Sequence, residues 1–172
     1  MKKENKLTIE YCSKCKFMMR SAWIAQELLQ TFDGDLDEAA LRLRAARLLA
    51  EEMPVVMLGD FNVIPEPRDA AHPKNWVSDA LFLPESRAAL RRIVHQGWTD
   101  AIRIRDPWSA RGPFTFWDYQ AGAWQRDHGF RIDHLLLSPE LADRMQAAGV
   151  DKEYRGREKA SDHTPFWVEL AE

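Results

Sequence analysis

The stretch Pro54-Val55-Val56-Met57-Leu58-Gly59-Asp60-Phe61-Asn62 runs from a helix breaker through four apolar residues to an acidic turn. Proline ends whatever helix precedes it, and Val55–Leu58 reads as a short buried strand. Gly59 permits close backbone approach, and Asp60 emerges at the strand's end. Asn62 follows two residues later, so on an extended chain both side chains point the same way. A carboxylate beside an amide suits the holding and orienting of a water, because an amide both donates and accepts hydrogen bonds. An Asx-type turn after a strand accounts for the same three residues.

Two further acidic clusters lie beside apolar stretches. Arg131-Ile132-Asp133-His134 opens the run Leu135-Leu136-Leu137, and Ser161-Asp162-His163 precedes the strand-like Phe166–Leu170. Asp133 sits among apolar neighbours, where a carboxylate faces desolvation unless it is paired or bound to metal. Asp162-His163 alone says little. Taken together, three Asp, one Asn and one His beside separate apolar segments predict convergence on one point. The donors are oxygen-rich and contain no sulfur, which favours Mg²⁺ or Mn²⁺ over zinc.

The rest of the chain bounds this reading. At 172 residues, 45% apolar and 30% charged, it is long enough for one domain with a sizeable core. No apolar run approaches the roughly 20 residues of a membrane span, and no apolar segment follows the basic start as a signal peptide would. No membrane association is expected, and a cytoplasmic location is the default. Net charge is −3. Residues 1–32 carry six Lys/Arg and three Asp/Glu, so the remainder is acidic, which argues against a general nucleic-acid coat. Seven tryptophans are many for this length, and core packing explains most of them. Periodicity predicts an Ala/Leu/Arg/Glu-rich helix over 37–52, a helix over 85–96 and a helix over 139–148 ended by Gly149. Strands are expected at 98–104, 113–118, 131–137 and 166–170. Four prolines between 64 and 84 mark a long surface loop.

Residues from about 40 to 170 resemble the C-terminal half of exonuclease III-type apurinic/apyrimidinic endonucleases, within the endonuclease/exonuclease/phosphatase superfamily. The matching stretches are Leu48–Val63, Thr115–Arg126, Arg131–Ser138 and Ser161–Pro165, in the family's order. The resemblance implies an α/β (α+β) fold, part of a four-layer sandwich whose two mixed sheets are covered by helices. It implies a Mg²⁺- or Mn²⁺-dependent DNA repair nuclease acting on double-stranded DNA with abasic sites or 3′ ends. Asp60 and Asn62 would position and activate the attacking water, His163 would contact the scissile phosphate, and Asp133 would orient that histidine. Asp162 and Asp60 would lie at the metal. Phe116, Phe130 and Ile132 match the apolar pocket for a flipped-out abasic sugar, since a damaged nucleotide is cheap to unstack. Arg126 and Arg131 are candidate phosphate contacts, which solvated surface charges explain equally well, while Trp117 and Trp124 are expected as core or loop anchors. The family's N-terminal half supplies an Asn, a metal-binding Glu and a Tyr that have no counterpart here, so impaired activity is expected.

Residues 7–32 resemble instead the opening strand and helix of the selenoprotein W-like family, thioredoxin-like, with Cys12 and Cys15 as its redox pair. C-x-x-C at a strand-to-helix turn suits a thiol of lowered pKa. The chain therefore reads as residues 1–36 from one fold joined to residues 37–172 from another. A thiol-disulfide oxidoreductase and a non-catalytic chimeric protein are the alternatives to the nuclease. A half sandwich would leave a sheet face exposed, for the Trp23/Leu28 helix face or a second copy of the chain to cover. Self-association or low stability is the expectation.

Overall fold

The computed structural model describes residues 38–171. The segment with Cys12, Cys15 and the thioredoxin-like expectation lies outside the described residues. Helix α1 (Glu38–Ala50) leads through Pro54 into strand β1 (Val56–Asp60). A long loop with two single-turn 3₁₀ helices, Pro67–Asp69 and Pro73–Trp76, follows. Then come α2 (Pro84–Val94), the two-residue β2 (Thr99–Asp100) and the short α3 (Ala101–Arg105). Strand β3 (Asp133–Leu137), α4 (Pro139–Ala142), β4 (Met145–Val150) and β5 (Phe166–Leu170) complete the chain. No described helix is long and apolar enough to cross a membrane.

Strand β3 is the centre. It lies between β1 and β2 in a three-stranded sheet, antiparallel to both, and all five of its residues are buried. Alternation along β3 sends Leu135 and Leu137 to one side and Leu136 to the other. Leu135 and Leu137 pack with Ala148, Val150, Phe166 and Val168 of the antiparallel β4–β5 pair. Leu136 packs with Ala45 of α1, Ile93 of α2 and Trp98. The layers are therefore helices, sheet, sheet. Both faces of β3 are covered, so the exposed sheet face expected from the sequence is not found at β3. Ser138 closes the far end of the ladder: its Oγ accepts from the Val55 amide at 3.1 Å and donates to the Met53 carbonyl at 3.3 Å.

Several expectations are corrected. The sheets among the described residues are antiparallel, not mixed. The strand expected over 98–104 is two residues long, because Asp100 turns the chain by capping α3, its carboxylate accepting from the Arg103 amide at 3.1 Å. Residues 113–118 form no strand and meet Phe130 and His163 through isolated bridges at Phe116. The helix expected over 139–148 stops at Ala142. The helix-forming Met145, Gln146, Ala147 and Ala148 are drawn into β4 by pairing with β5, which buries Ala148 in the core between the sheets.

Leu136 is fully buried between sheet and helices. Leu136→Ala should lower unfolding free energy by about 2–5 kcal/mol in urea titration. A loss below about 1 kcal/mol would contradict this helix–sheet core.

Candidate active site

Antiparallel register sets Asp60 of β1 directly opposite Asp133 of β3, on the face shared with Leu58 and Leu135 and at one end of the sheet. Gly59 precedes Asp60 with φ +135°, a conformation that favours glycine. Asp133 is completely buried and Asp60 is 5% exposed. The loop before β5 brings His163 to this pair. Its Nδ1 donates to Asp133 Oδ2 at 2.8 Å, and its Nε2 lies 3.9 Å from Asp60 Oδ2. The Phe116 ring meets the imidazole edge-on, with centroids 5.0 Å apart.

The segment from Thr115 to Trp117 laces these parts together. The buried Thr115 hydroxyl accepts from the Ile132 and Asp133 amides at 3.3 and 3.2 Å, while its carbonyl accepts from Thr164 N at 2.8 Å. Trp117 N donates to the Asp162 carbonyl at 2.9 Å. Ser161 Oγ lies 3.4 Å from Asp162 Oδ1 as a donor and accepts from His163 N at 3.2 Å. The turn that carries Asp162 and His163 is thus pinned to the strand that carries Asp133.

The electrostatics follow from three carboxylates and one imidazole in a small space. Burial, reinforced by the charges of Asp133 and Asp162, pushes the Asp60 carboxyl up to about 6, although its bond from Asn62 N and the nearby His163 oppose this. Burial by itself would lower His163, but the hydrogen bond to Asp133 and the charges of Asp133, Asp60 and Asp162 outweigh it and raise the imidazole above its ordinary value. Asp133 Oδ1 is buried without a hydrogen-bond partner. Such an oxygen and such crowding of negative charge suit a cationic guest.

Of the residues singled out in the sequence, Asp60, Asp133 and His163 meet directly, and Asp162 acts on both Asp60 and His163 through its charge. Asn62 arrives differently from the extended arrangement expected. Its φ is +51°, its side chain is exposed and its amide donates to Asp60 Oδ1 at 2.8 Å, which is an Asx turn. Phe130 and Ile132 are buried with Ile64, Ala70 and Phe82, and the half-buried Phe116 joins them, 4.7 Å from the Phe130 ring. Arg126 is exposed and donates to the Ala121 carbonyl of its own turn. Arg131 is corrected outright. It is buried, its Nε donates to Asp69 at 3.1 Å and its Nη1 donates to Asp100 at 2.9 Å, so it cannot serve as a surface phosphate contact. Trp117 is a core anchor, as expected.

Thr115, Asp69 and Asp100 escaped the sequence reading. Thr115 shows only as a hydroxyl inside the aromatic run Phe114-Thr115-Phe116-Trp117. Asp69 and Asp100 are separated from Arg131 by 62 and 31 residues, and no spacing rule links them.

A family profile described as "Endonuclease/Exonuclease/phosphatase family" matches residues 31–163. The chain belongs to this family. Exodeoxyribonuclease III of Haemophilus influenzae is 35% identical over 123 residues, covering 68% of this chain and 46% of that protein. An exodeoxyribonuclease of Bacillus subtilis is 34% identical over 122 residues, covering 71% of the chain and 46% of the relative. Among solved structures, the 3′-5′ exonuclease of Neisseria meningitidis matches with a TM-score of 0.73 and 32% identity over 77% of this chain and 51% of that one. An AP endonuclease from Archaeoglobus fulgidus matches with a TM-score of 0.71 and 31% identity over the same shares, 77% and 51%. The chain spans about half the length of the relatives it matches.

His134, the neighbour of Asp133, yields a test of the site's dry interior. It is fully buried, its Nε2 donates to the Val63 carbonyl at 3.0 Å and its Nδ1 has no partner. Burial, and then the charge of Arg131, push its pKa down to about 4. Between the ordinary 6.5 and about 4 the unfolded chain binds the extra proton, so this contribution is intact above pH 6.5 and lost as pH falls towards 4. The slope is about 1.4 kcal/mol per pH unit inside that window. Asp60 runs oppositely, because its raised pKa of about 6 stabilises most below 3.8 and is lost as pH rises through 6. Wild type should therefore lose less stability on acidification from pH 6 than His134 alone would remove, whereas His134→Gln should gain stability relative to wild type on acidification. Parallel unfolding curves at pH 7 and pH 5 would contradict a neutral, buried His134.

Proposed function

We propose that the chain hydrolyses phosphodiester bonds in double-stranded DNA, at abasic sites or 3′ ends, as a Mg²⁺- or Mn²⁺-dependent nuclease. The observation that carries this reading is His163 held on Asp133 at 2.8 Å while its other nitrogen faces Asp60 at 3.9 Å. The names of the relatives, exodeoxyribonuclease III and AP endonuclease among them, support it. A Neisseria relative of the same architecture has been captured with a product DNA hairpin.

The residues divide the work as follows. The Asp60 carboxylate, buried at the end of β1 and facing the outer nitrogen of His163, is placed to orient an attacking water and accept its proton. Asn62, next along the Asx turn, orients that water. The Nδ1–H of His163 is committed to Asp133, which leaves Nε2–H free to donate to a phosphate oxygen as negative charge develops there. Asp133 fixes the ring's orientation and favours its charged form. Phe116, half-buried over the buried Phe130 and Ile132, is the apolar surface against which a sugar without its base would pack. Arg126, exposed near the Gly122 turn, is assigned to backbone phosphate.

The donors fit a hard divalent cation in kind: Asp60 and Asp162 offer carboxylate oxygens, and crowding raises Asp60 in a way that a cation would relieve. Among the described residues no three His, Cys, Asp or Glu side chains are grouped to hold a metal ion. Asp60 and Asp162 are the residues that would hold it. When bound, such an ion supplies positive charge to phosphate oxygens.

Nicking of an abasic-site duplex checks this. Activity should need Mg²⁺ or Mn²⁺ and vanish with EDTA. Asp60→Ala and His163→Ala should each reduce kcat by ~100-fold or more, and Asp133→Asn by ~10-fold or more. Equal nicking by wild type and His163→Ala would refute the reading.

A further inference from the structure

Arg155 is 8% exposed, on the single 3₁₀ turn Lys152–Gly156. Its Nε and Nη2 both donate to the Trp117 carbonyl, at 3.1 and 3.0 Å, and Nη2 also reaches the Asp118 carbonyl at 3.4 Å. Among the described residues it forms no ion pair with a carboxylate. A buried guanidinium satisfied only by main-chain carbonyls is costly to place, and its rigid fork fixes those carbonyls in direction as well as distance. The turn that bears it is docked tightly. A Cβ on Gly156 would come within 3.0 Å of the Trp124 ring, Trp124 meets Trp117 edge-on with centroids 5.3 Å apart, and the Lys152 ammonium lies over both rings.

The residues thus clamped lead straight to the site. Trp117, fully buried, spends its carbonyl on Arg155 and its amide on the Asp162 carbonyl. The Arg155 guanidinium lies 4.9 Å from the centre of the Tyr119 ring, and the Tyr119 hydroxyl donates to the carbonyl of Ala160 at 3.1 Å. Ala160 immediately precedes Ser161-Asp162-His163. Two routes, through Trp117 and through Tyr119, therefore run from one guanidinium to the turn that presents Asp162 and His163. We propose that Arg155 is a positioning residue that holds the Trp117–Tyr119 segment and, through it, sets the Asp162–His163 turn against Asp133. Its consequence for turnover rests on the nuclease reading; its consequence for geometry does not.

Amide hydrogen exchange and kinetics on Arg155→Met and Arg155→Lys separate the two. Met keeps the stem and removes all donors, whereas Lys keeps the charge without the fork. Exchange at the Trp117 amide should quicken ~10-fold in Arg155→Met and by less in Arg155→Lys, with β4–β5 ladder amides within about twofold of wild type. In the abasic-duplex assay kcat should fall ~10-fold with KM within about twofold, Lys restoring part of it. Arg157→Ala, at an exposed residue stacked on Tyr154, should change neither readout. Uniform acceleration of all amides, or none at Trp117, would overturn the proposal. The expected exchange pattern in a chain whose wild type does not nick DNA would leave Arg155's role standing and refute the nuclease reading.

Discussion

The hydrogen bond from His163 Nδ1 to Asp133 Oδ2, 2.8 Å long in a nearly dry corner of the sheet, is the constraint around which the site is built. Asp133 has lost all contact with water, and a buried carboxylate demands a partner. His163 is that partner, and accepting the role fixes which of its nitrogens faces outward. Because Asp60 stands opposite Asp133 in the ladder, the outward nitrogen lies 3.9 Å from Asp60 Oδ2. One register relation and one side-chain bond therefore place three functional groups. The same crowding accounts for a carboxyl raised to about 6 beside an imidazole raised above its usual value.

Charge is also used away from the site, to hold loops that hydrophobic packing alone would leave free. Arg131, Asp69, Asp100 and Arg103 make a buried cluster that joins the loop after β1 to the start of β3 and to α3. Burial would raise Asp100, but Arg131, with His134 and the Arg103 amide, holds it below its ordinary value. The Asp69 carbonyl also accepts from Arg131 N at 2.8 Å, so side chain and backbone fix the same junction. Breaking a pair of this kind strands a buried charge, which costs about 3–5 kcal/mol.

The parts legible in the sequence are those set by short-range chemistry. The run Val55–Leu58 before Gly59-Asp60 announces a strand with an acidic end, although the strand is half-buried up to Leu58 rather than buried as expected, and Ile132–Leu137 announces its neighbour. The three clusters around Asp60, Asp133 and His163 read as one site because each lies beside its own apolar segment, and the β1–β3 register together with the His163–Asp133 bond brings them together. Residues 139–148 were not legible, because Ala, Met and Gln favour a helix and only the long-range pairing with β5 overrides them. Arg131 misled for a related reason. An arginine beside an acidic motif reads as a solvated charge until Asp69 and Asp100, remote in sequence, are seen to enclose it. Thr115 and Arg155 act through main-chain amides and carbonyls, which leave no mark on residue type.

The direct test of this account is the tautomer and titration of His163, read by long-range ¹⁵N–¹H NMR of the imidazole. Asp133 as proton acceptor requires Nδ1 to stay protonated throughout the titration, with a midpoint above the ordinary 6.5 that falls in Asp133→Asn. A neutral ring carrying its proton on Nε2, or a midpoint unchanged by Asp133→Asn, would contradict the arrangement on which the rest of the site depends.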